Sequence, residues 1–222
     1  MKSIPFFLTL LSGLSTLLGY YLIYLKLDKD KIIKYSLLFG SAVMCYISVF
    51  DLIPESIKYF NIKDKDELFL YVSIPILLGF IIVIVINTLI SKKKDKLYKI
   101  GLLSMIAIII HNIPEGIITY MSSCVNIKIG LKLTIAIMLH NIPEGITIAI
   151  PIYYSSKSKL KTFLYTLLSG LSEPLGGIIS YIFLSKFINN FILGLILNMA
   201  AGIMITISIT ELLPKVINSR EE

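Results

Sequence analysis

The chain has 222 residues, 56% of them hydrophobic and only 16% charged, with a formal net charge of +7 and a mean hydropathy of +0.85. A soluble chain of this size leaves too much of itself in water to conceal that apolar content, and a disordered chain is far more polar, so both classes are excluded. The basic balance does not point to nucleic acid, because the lysines are scattered between long apolar runs and gather on no single face.

A hydrocarbon core of about 30 Å needs about 20 apolar residues in a helix. Seven runs are long enough: 4–25, 35–56, 68–91, 98–121, 128–152, 160–183 and 188–214. The first exceeds the apolar stretch of a cleaved signal and is expected to remain in the protein. The fold class is therefore an all-α polytopic membrane protein, read as one transmembrane domain over 1–222. The connections set an orientation. Lys26, Lys29, Lys31 and Lys34, then Lys92, Lys93, Lys94, Lys96 and Lys99, then Lys157, Lys159 and Lys161, then Lys215 and Arg220 fall on one side. Half as many fall on the other: Lys2, Lys58, Lys63, Lys65, Lys128, Lys132 and Lys186. The richer side is expected in the cytoplasm, with the N-terminus outside a cytoplasmic membrane.

The letters repeat. Thr-Leu-Leu-Ser-Gly-Leu-Ser occupies both 9–15, in the first run, and 166–172, in the sixth. Asp51-Leu-Ile-Pro54 ends the second run as Glu211-Leu-Leu-Pro214 ends the seventh. The offsets are nearly the same, and the paired runs cross in opposite senses. An inverted repeat of this kind is a mark of secondary transporters, whose binding site lies at the midplane between the halves. A partner for the third run, an eighth helix, is expected and does not occur within the sequence.

The fourth and fifth runs carry one hexapeptide twice: His111-Asn-Ile-Pro-Glu-Gly116 and His140-Asn-Ile-Pro-Glu-Gly145. These hold both histidines of the chain. Ionisable groups at such depth are expensive and mark function by default. His111 and Glu115 are four apart and share a helix face, flanked by Asn112; His140, Asn141 and Glu144 repeat the arrangement. Two such helices packed antiparallel bring together two imidazoles, two carboxylates and two amides, a set suited to zinc, iron, cobalt or manganese. Pro114 and Pro143 free the carbonyls of Ile110 and Leu139, and Gly116 and Gly145 permit close helix contact. Glu173, again before a proline in an apolar run, is a third acid for the site. Met44 offers a thioether. Asp51, Glu55 and Glu211, near run ends, are candidates to guide ions to and from the centre. Proton competition for the imidazoles and carboxylates should weaken metal binding as pH falls from about 8 to 5, a trend that titrating zinc affinity against pH would check.

These hexapeptides, with Ser169-Gly-Leu-Ser-Glu-Pro-Leu-Gly176 and Glu211-Leu-Leu-Pro214, resemble the ZIP (Zrt/Irt-like) family of divalent metal-ion transporters, most closely its bacterial ZupT-like branch. The resemblance covers most of the chain. It implies a main metal site of His111, Glu115, His140 and Glu144, with Met44 as a further candidate. It also implies an adjoining site of Asn112, Asn141 and Glu173 that shares Glu115 and Glu144. The implied activity is uptake of a divalent ion, zinc first and Fe²⁺, Mn²⁺, Co²⁺ and Cd²⁺ as competitors, by alternating access. The ion is then substrate, with no prosthetic group and no covalent catalysis. The lipid bilayer is the surrounding partner, and homodimers are common in the family. Members have eight spans, so the unmatched eighth helix is a departure. Two other classes stand beside transport. An intramembrane metalloenzyme would need a base beyond the ligand set, and a non-transporting metal sensor is favoured only by the absent eighth span.

Overall fold

In hydrocarbon, helices satisfy every backbone polar group within themselves, so apolar runs of this length fold as helices. The computed structural model describes residues 3–25, 28–90, 95–183 and 190–218. Lys2, Lys26, Lys92, Lys93, Lys94, Lys186 and Arg220, used in the charge argument, lie outside these, as do the edges of the third and seventh runs. The described residues form no strand. A long helix stands at each expected run: α1 (Ser3–Tyr24), α2 (Lys29–Phe60), α3 (Lys65–Leu89), α4 (Lys96–Val125), α5 (Ile127–Ser156), α6 (Lys159–Phe183) and α7 (Asn190–Ile217). Six are long and apolar enough to cross a membrane. The other, α6, has the length but is diluted by Lys159, Lys161, Glu173 and many small polar residues.

Helix ends follow local chemistry more than the apolar boundary. The Asp28 carboxylate accepts from the amides of Asp30 and Lys31 and starts α2 six residues before the apolar run at 35. Asp64 does the same for α3. Asn126 alone separates α4 from α5, capping the latter through Lys128 N at 2.9 Å. Asn61 and Lys157 close α2 and α5 in the left-handed region, at φ 50° and 55°. At the lysine-rich end, Lys159 and Lys161 each place the ammonium 4.5 Å from a tyrosine ring centre, Tyr24 and Tyr98. Such amphipathic pairs suit a membrane–water interface.

Burial runs opposite to that of a soluble protein. His111, Asn112, Asn141, Glu144 and Glu173 are fully buried, while Phe69, Leu77 and Leu89 on α3 are exposed. With lipid as the outer solvent, apolar side chains have no reason to hide and polar ones must find partners inside. Hydroxyls do so locally: Ser123, Thr134 and Thr166 each donate to the carbonyl four residues back.

The sequence repeat is a geometric one. α1 and α6 run antiparallel, with Thr9 beside Gly177 and Gly13 beside Gly170. A Cβ on Gly13 would overlap the Gly170 carbonyl, and a Cβ on Gly170 would overlap the Gly13 carbonyl. Gly13 and Gly170 are equivalent letters of the repeated heptapeptide, so this reciprocal contact lies on a pseudo-twofold axis. The axis also exchanges α4 and α5. Gly116 abuts the carbonyl of Glu173, as Gly145 abuts that of Thr16. Gly176 abuts the carbonyl of Ile113, as Gly19 abuts that of Ile142. Small residues thus let four helices approach to backbone contact and fix their register.

The second repeated motif is matched as well. α2 widens into a π-helical turn at Ser48–Leu52, just before Pro54, and α7 does so at Ser208–Leu212, just before Pro214. Proline lacks an N–H and crowds the carbonyl four residues back, and an extra residue in the turn accommodates both. By contrast, α4 and α5 continue as α-helix through Pro114 and Pro143.

Candidate metal centre

The α4–α5 hairpin sets the centre. Its helices are antiparallel, and Gly130 packs on Ser123 where they part. From that register the hexapeptides lie face to face and in opposite senses, so His111 stands across from Glu144 and His140 across from Glu115. Oε1 of Glu115 accepts from Nε2 of His140 at 2.8 Å and lies 3.1 Å from Nε2 of His111. Nε2 of His111 is 3.7 Å from Oε1 of Glu144. Ligand atoms of His111, Glu115 and His140 all fall within 4.8 Å of one another, and the ring centres of the histidines are 6.3 Å apart.

These groups are out of water: none of the four is more than 9% exposed. An uncompensated carboxylate at that depth is costly, so the centre is a cradle for positive charge. Protons on the imidazoles can supply it, and so can a divalent ion bound by the same lone pairs. Both carboxylate oxygens of Glu144, Oε2 of Glu115 and Nδ1 of His111 are buried with no hydrogen-bond partner among the described residues. Two imidazoles and the Glu115 carboxylate gathered within 4.8 Å, with Glu144 at 3.7 Å from His111, form a borderline-hard donor set of the kind zinc accepts.

Asn141 and Glu173 adjoin this centre. Asn141 Nδ2 donates to Oε2 of Glu173 at 2.9 Å and to the Ser12 carbonyl at 3.1 Å. Asn112 Nδ2 reaches the Ser169 carbonyl at 3.4 Å, the symmetry mate of the Ser12 contact. The donors are therefore engaged by backbone. Oδ1 of both asparagines and Oε1 of Glu173 are left buried and unpartnered among the described residues. Glu173 is within electrostatic reach of Glu115 and His140.

The remaining candidates separate. Asp51 and Glu55 line a cavity of about 240 Å³ whose wall also includes Glu115 and His140. Asp51, in the π turn of α2, and Glu55, in the α-helical turn after it, thus share this cavity with two residues of the centre. Glu211 stands elsewhere, at the π turn of α7, where its Oε1 accepts from Asn87 Nδ2 at 2.8 Å. Met44 is fully buried within the apolar core, one turn past Gly40, where α2 meets Thr147 of α5. Sequence reasoning missed Asn87, whose signal was an amide in the most apolar span.

Comparison with known proteins agrees with this architecture. A family model described as ZIP Zinc transporter matches residues 91–222. The chain is 38% identical over 227 residues to the zinc transporter ZupT of Streptococcus mutans serotype c, spanning 94% of this chain and 86% of that one. It is 37% identical over 230 residues to the zinc transporter ZupT of Chlorobaculum parvum, with the same shares. It is 33% identical over 223 residues to that of Stenotrophomonas maltophilia, spanning 93% of this chain and 83% of the relative. With the duplicated hexapeptide, the repeated span pairs and this likeness along nearly its whole length, the chain belongs to the ZIP zinc transporter family.

Proposed function

We propose that this chain takes up a divalent transition-metal ion, zinc foremost, across the cytoplasmic membrane, with its N-terminus outside. The observation that carries the proposal is the meeting of the two hexapeptides, where one Glu115 oxygen lies against both imidazoles in a buried, carboxylate-rich centre. His111, Glu115, His140 and Glu144 hold the ion first, with Met44 as a soft neighbour, and Asn112, Asn141 and Glu173 form the adjoining position. Asp51 and Glu55 draw cations into their cavity, since a cleft lined by one sign of charge concentrates its counter-ion. Glu211 serves the opposite end. Alternating access follows from sliding the α1, α4, α5, α6 bundle against α2, α3 and α7. Release requires that the ligands hold the ion only moderately. Two copies of the chain form the working assembly.

The test is metal accumulation, by elemental analysis, in cells lacking their own zinc importers and offered zinc, iron, manganese, cobalt and cadmium together. The wild-type chain should accumulate zinc above empty vector, and Glu144→Ala should return uptake to the vector level. Asp51→Asn should raise the apparent KM several-fold and leave the maximal rate nearly unchanged, because it weakens approach and not the centre. A membrane-inserted wild-type chain that accumulates no metal above vector would overturn the proposal.

A further inference from the structure

The pseudo-twofold axis makes a statement about a residue that no motif marks. It pairs each polar group around Glu173 with a counterpart. Asn141 with the Ser12 carbonyl corresponds to Asn112 with the Ser169 carbonyl. Glu115 corresponds to Glu144, and Gly116 against the Glu173 backbone corresponds to Gly145 against the Thr16 backbone. Within this set one pair breaks the equivalence: Glu173 stands on α6 and Thr16 on α1, 157 positions apart like Gly13 and Gly170. We infer that Thr16 occupies a second ligand seat for the transported divalent cation, equivalent to the seat of Glu173 and supplied with a neutral oxygen in place of a carboxylate. This inference rests on the reading of Glu173 as part of the metal site.

Three observations support it. The Thr16 side chain is fully buried and its Oγ1 has no hydrogen-bond partner among the described residues. Its methyl sits 3.2 Å from where a Cβ of Gly145 would be, directly beside Glu144, so the side chain lies at the hexapeptide and not at the lipid. The groups on its side of the axis are orphaned too: Asn112 Oδ1 and Ser169 Oγ, like their mates Asn141 Oδ1 and Ser12 Oγ, and both Glu144 oxygens are buried and unpartnered among the described residues. A serine hydroxyl lies beside Glu173 as well, that of Ser12. A framework that accommodates a glutamate at one seat is thus reproduced around the other.

The asymmetry has a chemical meaning. With Thr16, three carboxylates face the ion positions: Glu115, Glu144 and Glu173. A fourth, from Thr16→Glu, would hold a divalent ion more firmly and add a hard oxygen donor, favouring manganese over zinc. Transport needs binding weak enough for release, so this single variant should show a lower KM, a lower maximal rate and a shift toward manganese in competition.

The decisive experiment moves the acid across the axis. Glu173→Thr should lower zinc uptake by about tenfold or more, as loss of a group tuning or holding a metal does. Thr16→Glu combined with Glu173→Thr should restore several-fold of that loss, and Thr16→Gln combined with Glu173→Thr, equal in size but uncharged, should restore none. Zinc binding to the purified proteins should follow the same order. If the swapped protein is in the membrane at wild-type level and neither imports nor binds more zinc than Glu173→Thr, the equivalence is overturned. Should the swap not accumulate, Thr16→Asp with Glu173→Thr, one methylene shorter, applies the same criterion. Failure of the underlying reading is distinct, since Glu173→Thr by itself would then import at the wild-type rate.

Discussion

Glu115→Gln should abolish metal uptake while the protein still reaches the membrane. Oε1 of Glu115 is the atom on which both imidazoles converge, at 2.8 and 3.1 Å. Glutamine keeps the volume and one acceptor but removes the charge. The divalent ion would then face two neutral imidazoles and one fewer carboxylate where its lost hydration is hardest to replace. Loss of a mere outer partner of a metal ligand costs about 10- to 100-fold in affinity, so loss of a ligand charge should exceed that. The fold should lose less, about 1–3 kcal/mol for a buried hydrogen bond that is no longer well made. Elemental analysis of cells, with zinc titration of the purified variant, reads both effects. Wild-type uptake by Glu115→Gln would place the centre off the transport route.

Gly116→Ala should weaken both the fold and metal binding. In an ordinary helix the change stabilises by about 1 kcal/mol. Here the added Cβ would overlap the carbonyl oxygen of Glu173, an atom of the α6 backbone that cannot turn aside as a side chain could. Overpacking of this kind costs about 1–3 kcal/mol, enough to reverse the sign. The displaced atom belongs to the residue whose carboxylate bonds Asn141, so zinc affinity should fall together with thermal stability. Gly79→Ala is the control. It meets the Met199 carbonyl on the α3–α7 seam, so it should lower stability comparably and leave zinc affinity unchanged. Equal loss of affinity in both variants would mean that Gly116 acts only through the fold.

Much of this was legible in the letters, because the membrane simplifies the problem. Apolar length sets where helices lie, and every one of the seven runs carries one. The spacing of His111 to Glu115 and of His140 to Glu144 sets a shared face, a property of one helix needing no knowledge of its neighbour. The inverted repeat was visible in seven identical letters. Helix ends were less legible: α2 begins six residues before its apolar run because the Asp28 cap, not hydropathy, decides it.

What sequence could not supply was register between helices. That Glu115 gathers both imidazoles follows from how α4 sits against α5, a register set where Gly130 packs on Ser123 and held from outside by Gly116 against α6 and Gly145 against α1. The same holds for the separation of the end acids. Asp51 and Glu211 are equivalent letters, yet one lines a cavity shared with Glu115 and His140 and the other is bound by Asn87, 124 residues away in the chain. Composition and periodicity by themselves determined that the chain is a helical membrane bundle with two polar faces turned inward. Only the tertiary structure decided which oxygen meets which nitrogen, because helix periodicity is local, whereas interhelical register depends on close backbone contacts between residues as distant as Gly13 and Gly170.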